Sequence, residues 1–99
     1  MKLVIKNSDA KNKRLVAIFT DKGKSKKVNF GLKNPKIGTY IDTGDTVARK
    51  NYIKRHEVNE KKFYKDPHRA ATLSRFILWG EEKSLKQNIE LYKKKFNLS

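Results

Sequence analysis

The hydrophobic pattern of this chain changes period once, near residue 40, and that switch limits the fold more than any other feature. Before it, Leu3-Val4-Ile5 and Arg14–Phe19 are short runs rich in β-branched or aromatic residues, bounded by turn-formers. Across Lys26–Leu32, Val28, Phe30 and Leu32 alternate with Lys27, Asn29 and Gly31, the two-residue period of a strand with one buried face. A polar loop at Asn7–Lys13 and a turn at Asp21-Lys22-Gly23-Lys24 separate the three runs, with Gly23 able to take positive φ. Two successive hairpins, hence a three-stranded antiparallel meander, are the simplest arrangement with short local connections. Lys33-Asn34-Pro35-Lys36-Ile37-Gly38 breaks the last strand, and Thr39-Tyr40-Ile41 reads as a short extended piece or a loop wall.

After the switch the pattern is helical. Asp45 is placed to cap a helix over Thr46–Val58, with Ala48, Tyr52 and His56 on one stripe. Asp66-Pro67 is a second start signal, a cap residue followed by proline at the first helical position. That helix is expected to reach Trp79 and stop at Gly80, burying Ala70, Leu73 and Ile77. Ser84, with Gln87 three residues on, fits a capping box and opens a third helix. Leu85, Ile89, Tyr92 and Phe96 form its apolar stripe, while Lys86–Glu90 and Glu90–Lys94 are i,i+4 pairs on its wet face. The order predicts one α+β domain over residues 1–99, with basic β-hairpins at 1–40 and a helical part at 45–98. Three helices cover one face of the sheet, and the other face is open and polar.

Composition narrows the class. A chain of 99 residues suffices for one domain and is too short for two. Hydrophobic residues make up only 36%, so Leu73–Trp79, the most apolar stretch, is needed for the core. Cysteine is absent, which removes disulfides and thiolate metal sites. The apolar run at the N-terminus breaks after Ile5, far short of a signal peptide or a membrane span. The expected location is therefore inside a cell, neither secreted nor membrane-spanning.

Charge points to the partner. Lys and Arg number 25 against 10 Asp and Glu, a net charge of +15. Solubility of a small domain needs roughly 2–8 charges, and the excess repels itself unless a polyanion neutralises it. Residues 1–40 hold eleven of the cations against two acids. Lys11, Lys13, Arg14, Lys22, Lys24, Lys26 and Lys27 cluster in the two hairpin loops and the strands leaving them, as a phosphate-contacting β-ribbon would require. A second set, Arg49, Lys50, Lys54 and Arg55, lies on the first predicted helix beside Asn51 and Tyr52. Nucleic acid is the expected partner and a membrane is not.

No motif calls for a cofactor, a metal or catalysis. His56, Glu57, Glu60 and His68 are the only candidates for acid–base or metal chemistry, and their spacing is not His-Glu-x-x-His. No phosphate-cradling glycine loop and no nucleophile elbow is present. The chain is expected to be non-enzymatic. Trp79 reads as core, with a partner-protein anchor as its other role, and Arg75 is expected to point outward or pair with Glu81 or Glu82.

Two groups of residues carry a resemblance. Phe30-Gly31, Tyr40-Ile41-Asp42, Asp45, Arg49–His56 and Glu60 form one; Ala71, Leu73–Trp79, Leu85, Ile89 and Tyr92–Phe96 form the other. Over about residues 30–98 the chain resembles small basic proteins encoded by nucleocytoplasmic large DNA viruses of algae and amoebae. It departs from that pattern at Phe63-Tyr64, where a tryptophan is expected, and at Thr72, where a glycine is. The resemblance implies a viral origin, with genomic DNA rather than RNA as the polyanion. A minor virion protein that binds other viral structural proteins is the alternative it implies.

Overall fold

The computed structural model describes residues 1–33 and 38–99. Strands β1 (Lys2–Asn7), β2 (Lys13–Asp21) and β3 (Lys24–Leu32) form an antiparallel sheet in the order β1-β2-β3. The fold is α+β, an N-terminal meander followed by helices. Leu3 lies opposite Phe19, Ile5 opposite Ala17, and Leu15 opposite Phe30, which puts the bulky alternating residues on one face. Leu3, Leu15, Ala17, Phe19 and Phe30 are buried there. The break expected at Lys33–Gly38 falls mostly on residues 34–37, outside the described residues.

Tyr40 opens a single helical turn, α1 (Tyr40–Thr43), where an extended piece or loop wall was expected. The cause is local hydrogen bonding, with no periodicity to announce it. The Thr39 backbone N–H and hydroxyl both donate to Asp42 Oδ2, at 2.9 and 2.8 Å. Arg14 of β2 then donates to both oxygens of the same carboxylate, at 2.8 and 2.7 Å, and ties the turn to the sheet. This bidentate contact leads the causes that hold the Asp42 carboxyl down at about 2.

Helix α2 (Thr46–Glu60) starts as expected: Asp45 accepts from the Val47 and Ala48 amides, both at 3.0 Å. It runs two residues past the expected end, and a 3₁₀ turn follows at Lys61–Phe63. The next helix differs from expectation. Pro67 is not in it, because the Asp66 carboxylate accepts from the amide and ring of His68 and from Arg69 rather than capping a helix. Helix α3 (Ala70–Leu73) begins after Arg69 and widens at once into a π turn, Ser74–Leu78. The Trp79 amide donates to the Ser74 carbonyl, five residues back. Ala70 is exposed, whereas Leu73, Ile77 and Leu78 are buried against the sheet. Gly31 permits that approach. It has φ +80, and a Cβ there would lie 2.8 Å from Leu78 Cδ1.

Helix α4 (Leu85–Lys95) starts at Ser84, which accepts from the Gln87 amide at 3.2 Å. Its apolar stripe packs on the core with Tyr92 fully buried, and the Tyr92 hydroxyl donates to the Pro67 carbonyl at 2.7 Å. Neither Lys86–Glu90 nor Glu90–Lys94 closes to an ion pair among the described residues. Asn88 is fully buried in α4. Its amide donates to the Ile77 and Glu82 carbonyls, each at 2.8 Å, and its oxygen accepts from the Glu82 amide at 3.0 Å. Beside it, a Cβ on Gly80 would lie 2.6 Å from Asn88 Cγ.

Asn88→Ala leaves the buried Ile77 carbonyl and the partly buried Glu82 amide and carbonyl unpaired and lowers the unfolding free energy by about 3 kcal/mol, measured by urea denaturation. Val58→Ala, at an exposed site, changes it by less than about 0.5 kcal/mol. Because the folded pKa of Asp42 lies below its unfolded value of 3.8, its contribution is complete above that pH and lost as pH falls towards about 2. The stability gap between wild type and Asp42→Asn therefore narrows over that interval in an acid titration followed by circular dichroism.

Candidate nucleic-acid interface

The hairpin cations do not form one cluster. Lys11 lies in the β1–β2 loop and Lys22 in the β2–β3 turn, at opposite ends of nine-residue β2 and roughly 27 Å apart by strand rise. Lys22 and Gly23 both have positive φ (48° and 81°), as a two-residue type I′ hairpin turn requires. Lys13, Lys24 and Lys26 share the helix-facing side of the sheet at the strand ends, whereas Lys27 is on the open face.

Lys2 and Lys6, which the hairpin reading missed, join Lys27 on that open face. Three cross-strand rows define it: Lys2–Thr20–Ser25, Val4–Ile18–Lys27 and Lys6–Val16–Asn29. Lysines thus surround a small apolar centre and extend between the two hairpin ends. The signal was present in the sequence, since Lys2, Val4 and Lys6 alternate with Leu3 and Ile5.

Arginine and lysine have separate fates. Arg14 is committed to Asp42, and Arg69 pairs with Asp66 and lies over the Phe63 ring. Arg49 donates to the carbonyls of Trp79 and Gly80, at 3.2 and 2.8 Å. Arg75, expected to point outward or to an acid, is half-buried. It donates to the Trp79 carbonyl at 3.2 Å and lies over the Phe76 ring, and burial, then Arg49, lowers its pKa. So Arg14 and Arg49, both expected at the interface, are structural. Among the described residues no lysine takes part in a salt bridge, and Arg55 has neither a hydrogen bond nor an ion pair. Lys50 and Lys54 are exposed on α2.

Arg55 borders two hollows, each of about 470 Å³. One is a cleft between the β3 end, α2 and the π turn, lined by Lys13, Tyr52, Arg55, His56, Glu60 and Trp79 among others. The second lies along α2 between Ala48, Asn51, Lys54, Arg55 and Trp79. Trp79 stacks on Tyr52 at 4.2 Å with planes 5° apart, and Tyr52 stacks on His56 at 3.9 Å. Burial, then the charge of Glu60, pushes the Tyr52 hydroxyl above the usual phenol range. Trp79 also packs against the core, so it has both a core contact and a border on each hollow.

The two histidines have separate partners. A ring nitrogen of His56 lies 2.9 Å from the Tyr52 carbonyl, and His68 is tied to Asp66. Among the described residues no three His, Asp or Glu side chains gather as a metal site would need. No helix there is long and apolar enough to cross a membrane.

No curated protein and no solved structure matches the chain. A model of the family of unknown function DUF5754 matches residues 3–56. That span takes in the sheet from Leu3 onward, both hairpins, α1 and α2 as far as His56. With more than half its length inside the match, the chain belongs to the DUF5754 family.

Proposed function

We propose that this protein is a non-enzymatic, largely sequence-independent nucleic-acid-binding protein that contacts phosphates through lysine. One observation carries the reading: a net charge of +15 in which no lysine of the described residues is neutralised by an internal ion pair. Lysines free of internal partners can exchange counterions for phosphates, and that release is the main driving force for sequence-independent binding. The track from the Lys22 turn, past Lys2, Lys27 and Lys6 on the open face, to Lys11 follows β2 for roughly 27 Å, which spans about eight phosphates of one strand. Lysine is a point charge on a flexible stem, suited to following a backbone rather than reading bases. The resemblance to proteins of large DNA viruses supports genomic DNA as the polyanion and a place on the genome or against the capsid.

The apparent affinity for a DNA duplex is expected to fall linearly on a log–log plot against salt, with a slope of about −0.9 per phosphate contacted. Lys2/Lys6/Lys27→Ala is expected to reduce that slope by roughly 2–3, and Lys22/Lys24→Ala by roughly 2. Fluorescence anisotropy of a labelled duplex measures both. Binding that ignores salt, or none at low salt, contradicts the reading; a salt-resistant complex with a protein favours the virion-structural role instead.

A further inference from the structure

Among the described residues, the one arginine without an internal polar partner lies beside the sole tryptophan. Trp79 and Arg55 together border both hollows, with Lys13 on one side and Asn51 and Lys54 on the other. In the Trp79–Tyr52–His56 stack the middle ring has both faces covered, so the ends of the stack are Trp79 and His56. Among the described residues no further ring stacks on either end, and both ends line the same cleft. Two arginines, Arg49 and Arg75, hold the Trp79 carbonyl and fix the backbone beneath the indole.

We propose that this cleft takes an unpaired nucleobase, making single-stranded nucleic acid the preferred partner; the inference rests on the nucleic-acid reading above and specifies its substrate. Every base has a π-face, so an aromatic stack with an arginine alongside binds bases with little regard to sequence. A guanidinium can both stack on a base and contact its phosphate, whereas Lys13 and Lys54 can take only phosphates. Asn51 offers a donor and an acceptor to a base edge. A bare polyphosphate fits less well, because Glu60 lines the cleft and repels an anion that brings no ring to stack. A base within a duplex is stacked on its neighbours and cannot enter without being extruded.

Trp79, as the sole tryptophan, reports on its own site. The full chain is titrated with a thymidine oligonucleotide, a duplex and inorganic polyphosphate at one low salt concentration. Indole emission is followed beside the anisotropy of the same labelled nucleic acids. All three are expected to bind, and the single strand alone to quench the indole strongly. Arg55→Ala, at an exposed position, is expected to weaken single-strand binding roughly tenfold and duplex binding by less than about threefold. Arg55→Lys keeps the charge and is expected to recover only part of the loss. Trp79→Ala removes the quench, but Arg55→Ala tests the site even if that variant does not fold. If the strand binds with unchanged emission and no response to Arg55→Ala, the stacking site is wrong and the charge reading stands. Equal quenching by polyphosphate also overturns it. No binding of any of the three removes both proposals.

Discussion

Three side chains from three helical segments converge on the carbonyl end of the π turn, and the helical layer depends on that meeting. Asn88 of α4 takes the Ile77 carbonyl, while Arg49 of α2 and Arg75 of the turn itself take that of Trp79. The last carbonyls of a helix have no partner within it and carry its partial negative charge, so two guanidiniums and an amide are well matched to that end. The contact also sets the approach of α2, which buries no residue fully and has little apolar surface with which to dock. Remove this junction and α2 is left with the Tyr52–Trp79 stack and the short link to α1.

That arrangement explains how a chain with so few acids distributes its cations. Arginine, planar and able to donate in several directions, is used for internal carbonyls, two carboxylates and aromatic faces. Lysine is left mostly to the solvent on both hairpins, the open sheet face, α2 and α4, with only Lys62 and Lys95 among the described residues lying over aromatic rings. The division has an energetic basis: a strongly hydrated ammonium is costly to desolvate, whereas a guanidinium loses less and gains two or more directed bonds. Arg55 departs from the pattern, which is why its position beside Trp79 stands out against the other arginines.

Much of the fold was legible in the residues and much of the site was not. The strands followed from period-two alternation and turn chemistry at Lys22-Gly23, and α2 and α4 from the caps Asp45 and Ser84. The turn α1 was hidden because Thr39 and Asp42 create it by side-chain bonding without any periodicity. The late start of α3 was hidden because one aspartate can serve either as a cap or as a partner for His68 and Arg69, and local sequence does not decide which. A polar side chain gives Asn88 no place in an apolar stripe, and only its tertiary partners reveal it as core. The same limit applies to charge. Arg14 and Lys11 look alike in a basic loop, yet one is bound to Asp42 twenty-eight residues on and the other faces water. Which cations remain outward is settled by contacts distant in sequence.

The outer edge of β3 gives the open sheet a colloidal property. With the order β1-β2-β3, that edge has no strand beside it among the described residues, and it carries Lys24, Lys26 and Lys27 in four residues. Unpaired edges invite a second chain, and mutual repulsion of lysines is a common guard against it. Such a guard acts only across the screening length, about 10 Å at 0.1 M salt and about 3 Å at 1 M. High salt, or a polyanion lying over these lysines, lowers the same barrier. The edge is protected against its own copies only while its charge is unanswered.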